Sequence, residues 1–341
     1  SILLKELISF VRATKNTPQL IFLEKTIQDG FVILNLKLNL DQNGNIENDY
    51  TLTGSLKNGK IKYLKNNNFN KINFQFDIKK DSYSFQKLNF SVNLMKFSSE
   101  NFKISRNQKN FLLQGDIKNS KSNLDLNFLK LFKFDLKNFD LSEINFTSKN
   151  NFSLEIDNKF NVENIYLESD LNFNKGKYIR PDFIKNYLLN LNDHIRFDNH
   201  NLKLKYEKNE LNIDGAGQIL IDKKIDTIEY LINKKGKNLN INANLNIEDI
   251  NLNKQKFLNE FFPSIGDNLT FKKQIINIEY KKDNLKISGN GKIKIDKDFD
   301  NINYLISKKN NKINFDLNLD LNETVFQISQ LNFKKEKKSN S

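Results

Sequence analysis

The sequence contains no cysteine and no tryptophan, one methionine, two histidines and three prolines among 341 residues. Without cysteine there is neither a disulfide framework nor a thiolate metal site, an absence compatible with an oxidising compartment. A hydrolytic triad or a histidine-bearing zinc site would have to use His194 or His200, and no HExxH or GxSxG pattern accompanies them. Both histidines fall in the polar stretch NDHIRFDNH (192–200) and are read as surface residues. Arginine is scarce as well: Arg12, Arg106, Arg180 and Arg196 stand against a Lys+Arg total of 54. The formal charge of +13 would ordinarily point to nucleic acid or an anionic surface. Arginine, however, is the side chain suited to bidentate phosphate and base recognition, so a charge carried by lysine weakens that reading. The accompanying wealth of Asn, Ile, Lys and Phe fits AT-rich coding instead. No run of 18 apolar residues occurs, which excludes a membrane-spanning helix within the sequence, and no signal peptide is visible. The chain starts at Ser1 and its methionine is Met95, so a natural N-terminus with any anchor or export signal is expected to be missing.

What the chain does have is alternation. In INFDLNLDL (313–321) Ile313, Phe315, Leu317, Leu319 and Leu321 take one parity and Asn or Asp the other; FVILNLKLNL (31–40), INFQFDI (72–78), LKLKY (202–206) and LNINANLNI (239–247) behave alike. Period two means a strand with one apolar and one polar face, and sheets with a wet face are typically antiparallel. QNGN (42–45), KNGK (57–60) and KKDN (281–284) read as the turns between such strands. Helical spacing is confined to ILLKELISFVRA (2–13), PDFIKNYLLNLN (181–192) and QKFLNEFF (255–262). With 38% hydrophobic and 28% charged residues, the composition suits much one-sided surface and little interior.

One stretch occurs twice. GAGQILIDKKIDTIEYLINKK (215–235) returns as GNGKIKIDKDFDNINYLISKK (289–309), and the shared offset carries Gly215 onto Gly289, Ile221 onto Ile295, Asp226 onto Asp300 and Tyr230 onto Tyr304. Over 211–249 against 285–323 roughly half the positions agree without a gap, the signature of a stacked array. The glycine pairs Gly215/Gly217 and Gly289/Gly291 lack the GxxxxGK[ST] and GxGxxG contexts of phosphate loops. A two-glycine turn between strands is one reading. The other puts them inside long strands, in the parity of Leu211, Ile213, Ile219 and Ile221, as points of curvature or of close approach to the backbone. The recurring Asp222, Asp226, Asp296 and Asp300 have no calcium-loop spacing and are read as exposed turn carboxylates.

The pattern GxGxIxID…D.I.Y, an alternating strand pair, a short helix near Pro263 and the same again, resembles the AsmA-like proteins of Gram-negative bacteria, the YhdP branch in particular. The resemblance is best over 160–330, and the N-terminal strands, including 30–62, are similar to the region that precedes it. Tyr230 and Tyr304 stand where such relatives often carry Trp, and the N-terminal inner-membrane helix of the family is absent. The resemblance implies a periplasmic protein, anchored to the inner membrane through the missing N-terminal segment. It further implies an apolar groove along which phospholipids slide between inner and outer membranes.

The expected fold is therefore mainly β: a long, curved antiparallel sheet forming an elongated apolar groove built of repeats, with a few short helices. Its expected parts are an N-terminal groove segment (1–175), a first repeat with a short helix (176–252), a second (253–330) and a disordered tail (331–341). The expected function is non-enzymatic, without cofactor or metal: the groove solvates phospholipid acyl chains, with nucleic acid not a partner and partner proteins unspecified. Parity gives Ile219, Ile221, Tyr230, Leu239, Ile241, Ile293, Ile295, Tyr304, Phe315, Leu317 and Leu319 as lining residues, with Gly215, Gly217, Gly289 and Gly291 setting curvature. Two rivals remain open: a basic β-surface that stacks single-stranded bases on Phe among Lys, and a structural, adhesin-like array whose apolar faces close on each other.

Overall fold

A computed structural model describes residues 2–14, 18–44, 50–63, 67–107, 110–125, 139–140, 144–157, 161–179, 194–221, 224–309 and 312–338. The protein is mainly β, with about 75% of residues in strands that pair antiparallel and do not close into a barrel. Two compact units divide the chain. The first comprises residues 1–135, 141–172 and 203–209, and the second 136–140, 173–202 and 210–341.

In the first unit two short helices, α1 (Leu4–Thr14) and α2 (Pro18–Thr26), precede the strands. The apolar spacing that predicts α1 puts Leu4 and Leu7 against a buried cluster of Val32, Leu56 and Ile72, the usual fate of an amphipathic helix stripe. Glu24 of α2 accepts hydrogen bonds from Ser9 and Arg12 of α1. A two-residue strand β1 (Ile2–Leu3) pairs with β2 (Ile27–Lys37). From β2 the ladder continues through β3 (Thr51–Tyr63), β4 (Asn67–Lys79), β5 (Ser82–Val92), β6 (Met95–Asn107), β7 (Asn110–Asn123) and β9 (Asn145–Ile156). The two residues Phe139–Asp140 form β8, which belongs to the second unit and pairs with the second-unit end of β10 (Val162–Ile179), at Lys177 and Tyr178. One face of this ladder is a run of phenylalanines. Phe74 meets Phe85 edge-on with ring centres 5.3 Å apart, Phe85 lies 5.5 Å from Phe102, and Phe102 lies 6.0 Å from Phe152, offset contacts of the sort aromatic pairs favour.

KNGK (57–60) is not the turn its residues suggest. It lies inside β3, where Asn58 has φ 54° and the register with β4 shifts around Gly59. A β-bulge asks for the same left-handed backbone as a tight turn, so Asn-Gly serves both. KKDN (281–284) is a turn: Lys282 and Asp283 both have positive φ and close a two-residue hairpin loop. In QNGN, Gly44 donates its N–H back to the Asp41 carbonyl at 3.0 Å, and Asn45 lies outside the described residues.

The second unit carries the repeat. After β11 (His194–Glu207) come β12 (Glu210–Leu220), β13 (Ile225–Lys235) and β14 (Asn238–Asn253). The second copy is β15 (Asn268–Lys281), β16 (Asn284–Lys294), β17 (Phe299–Lys309) and β18 (Lys312–Asp320). Strands β12 to β18 pair in chain order. The glycine pairs lie within β12 and β16, not in turns. Positive φ at Asn199 (51°) and Lys273 (50°), the same offset apart, marks a residue that flips strand parity; at Lys273 the register shifts as in a bulge. Bulged strands bend and twist more strongly, so curvature enters the sheet at these residues.

The connector between the copies holds one 3-10 turn (Lys256–Glu260) where QKFLNEFF predicts helix, and the 181–192 segment lies outside the described residues. The tail expected from residue 331 is a correction. A hairpin of β19 (Phe326–Ile328) and β20 (Phe333–Lys335) forms there, with Phe326 stacked 6.2 Å from Phe261 and 5.5 Å from Phe262. Phe326 and Ile328 are half-buried there, and Phe333, still exposed, meets the Phe326 ring edge-on at 6.4 Å. No helix among the described residues is long and apolar enough to cross a membrane.

Candidate functional site

Parity turns into geometry through the register of the second unit. One row of cross-strand neighbours from β13 to β18 reads Tyr230, Ala243, Ile278, Ile287, Ile306 and Phe315. The next reads Ile228, Leu245, Ile276, Gly289, Tyr304 and Leu317. Both rows lie on one face, and the opposite face carries rows such as Glu229, Asn244, Asn277 and Ser288. Contiguous apolar surface of this kind is unusual on a soluble protein unless something covers it.

Part of the face is covered by the chain itself. Phe262 and Ile265 of the connector pack on Ile293, Ile295 and Ile302, all buried. Beside this plug an open hollow of about 480 Å³ is lined by Ile276, Ile306, Phe315, Leu317 and Leu319 among others, with Gln274, Tyr304 and Asp316 its polar residues. Its size and apolar lining are those of a small-ligand site. Phe315 remains 73% exposed and Leu317 57%, so the hollow is open on the side of β18.

The predicted lining residues separate accordingly. Tyr304, Phe315, Leu317 and Leu319 border the hollow; Ile293 and Ile295 border it too but chiefly support the plug. Ile219, Tyr230, Leu239 and Ile241 share the face in β12–β14 without bordering that hollow, and half-buried Ile221 follows the end of β12. Ile276, Ile302 and Ile306 are lining residues that the reading passed over, although they have the right parity. Phe262 and Ile265, in FFPSI, carry no periodicity to betray them.

Gly215, Gly217, Gly289 and Gly291 leave room for side chains from neighbouring strands rather than for a guest. A Cβ on Gly215 would lie 2.4 Å from the Tyr230 ring, and one on Gly289 2.2 Å from that of Tyr304. At Gly217 it would meet the His200 ring at 2.3 Å, and at Gly291 the Gln274 amide at 2.2 Å. Glycine in a strand permits such close approach, and an aromatic laid over it restores the missing contact. Burial raises the Tyr230 phenol to about 12 and raises that of Tyr304, so both hydroxyls stay protonated within the apolar face.

Three polar residues correct the sequence reading. His200 is buried, not on the surface, while His194 is exposed. Its Nε2 lies 3.0 Å from the Gln218 carbonyl, which can only accept, so the proton sits on Nε2. Gln274, one repeat on, donates from Nε2 to the Lys292 carbonyl at the same 3.0 Å. The socket thus requires a planar N–H donor, and histidine is one way to supply it. Asp226 and Asp300 are each 2% exposed rather than open turn carboxylates. Asp300 accepts the N–H groups of Asn322 (2.6 Å) and Glu323 (2.8 Å) and the Thr324 hydroxyl (2.5 Å); Asp226 accepts the N–H of Glu248 (2.8 Å). Asp296 pairs with Lys337 at 2.9 Å, and Asp222 lies outside the described residues. Among the described residues no cluster of His, Asp or Glu could hold a metal ion. No family model, curated protein or solved structure matches this chain.

Proposed function

We propose that the apolar face of the second unit binds lipid acyl chains and lets them slide along it, without covalent chemistry. The observation that carries this reading is the open hollow on β14–β18, bordered almost wholly by Ile, Leu and Phe and continuous with the apolar rows of β13 and β14. Each methylene that leaves water for such a surface contributes about 0.8 kcal/mol. A row of similar side chains gives similar affinity at each step, so no single position traps the chain, while head groups stay in water at the exposed margin. The setting that accompanies this proposal is the cell envelope: a periplasmic protein, tethered at the inner membrane, moving phospholipid toward the outer membrane.

Mass spectrometry of lipids retained by the purified protein tests it. Phospholipid is expected to co-purify at up to stoichiometric amounts and to stay bound in high salt, where a nucleic-acid ligand would be lost steeply. Phe315→Asp with Leu317→Asp should cut retention severalfold at an unchanged Tm, because both side chains are exposed already. A lipid-free, monodisperse wild type would sink the proposal, as would a double variant that retains lipid like the parent.

A further inference from the structure

The two copies differ at their outer edges. In the first, the free side of β14 is taken by β15 in a regular antiparallel register that pairs Asn240 with Lys281 and Ile247 with Gln274. The second copy ends in β18, the counterpart of β14, whose pairing partner among the described residues is β17. From Lys312 to Asn318 every residue of β18 is exposed, on both faces. A long apolar strand with such an edge is a template for another strand.

Its polar side has also changed. Where β14 carries Asn242 and Asn246, β18 carries Asp316 and Asp320. We propose that the outer edge of β18 is a docking site for an antiparallel β-strand of a partner, one that alternates apolar residues with lysine or arginine. Main-chain hydrogen bonds supply the affinity, as in other strand additions, and the cross-strand side chains select the sequence. This inference stands apart from the lipid reading.

The chain itself provides two probes. Its β11 sequence, laid on β18 as β15 lies on β14, sets Lys205 opposite Asp316, Leu204 opposite Leu317 and Tyr206 opposite Phe315. Lys203 then falls between the two aspartates. The β15 sequence in the same register sets Glu279 opposite Asp316. Like charges directly opposed destabilise a strand pair and opposite charges stabilise it.

Labelled synthetic peptides covering His194–Glu207 and Asn268–Lys281 are titrated against the full chain by fluorescence anisotropy, with amide exchange followed in Lys312–Asp320. The first peptide is expected to bind roughly fivefold more tightly than the second, to slow exchange in β18, and to lose its advantage in Asp316→Lys. Failure of both peptides to bind, equal binding, an unchanged preference in Asp316→Lys, or protection that falls outside β18 would each overturn the proposal.

Discussion

The two copies of the repeat share a register and part at their ends, which separates what the sequence pattern demands from what each position demands. Tyr230 lies opposite Gly215 and Tyr304 opposite Gly289; Ile219 and Ile293 are both buried; His200 and Gln274 reach equivalent carbonyls. After Glu248, the first copy stays in its ladder, with Asp249 to Asn253 paired to β15. After Asp320 the second leaves its strand, and Asp300 gathers the departing backbone. The lesson is that the carboxylate fixes the exit of the chain, while the ladder beyond it is optional.

That contrast predicts the largest effect. Asp300→Ala would leave two N–H groups and a buried hydroxyl without their acceptor, and should cost about 3 kcal/mol. Asp226→Ala should cost clearly less, because the β14–β15 ladder continues to hold the chain there. Urea unfolding of both variants decides it, and equal losses would break the comparison.

The glycine sockets come next. Gly289→Val should cost about 1–3 kcal/mol by forcing the Tyr304 ring out of its place. Removing the ring in Gly289→Val/Tyr304→Ala should make the double variant less destabilised than the two single losses summed, because the clash is gone. Strict additivity in thermal unfolding would mean that the ring and the glycine are not coupled.

The sheet was legible to the extent that alternation and repetition encode it. Parity put Tyr304, Phe315, Leu317 and Leu319 on one face, and the offset between copies carried β12 and β13 onto β16 and β17 residue for residue. Asp226 and His200 were misplaced by residue type although their parity was informative: Asp226 alternates with Ile228 and Tyr230, and His200 with Leu202 and Leu204. KNGK misled because a bulge and a turn share one backbone requirement. The plug at Phe262 and Ile265 was invisible because irregular backbone has no period, and tertiary contact alone brings it to the face.

The smallest expected effect sharpens the comparison most, because it tests one copy with the residue of the other. Burial holds the His200 imidazole below its ordinary value of 6.5, against the opposing pull of the Gln218 carbonyl and Asp198. Near and below that value the unfolded chain therefore binds a proton that the folded chain resists. The stability tied to His200 is present in full above the unfolded value and is lost as the pH falls through the lower folded one. Gln274 already shows that an amide fills the same socket with the same bond, and an amide does not titrate in this range. His200→Gln should thus match the wild-type Tm at pH 7.5 and exceed it at pH 5, by an amount that grows as the pH drops. The two Tm profiles share every other group of the chain, so their difference reports His200 alone. Parallel profiles would mean that the socket accommodates the charged ring, and that histidine and glutamine occupy it for different reasons.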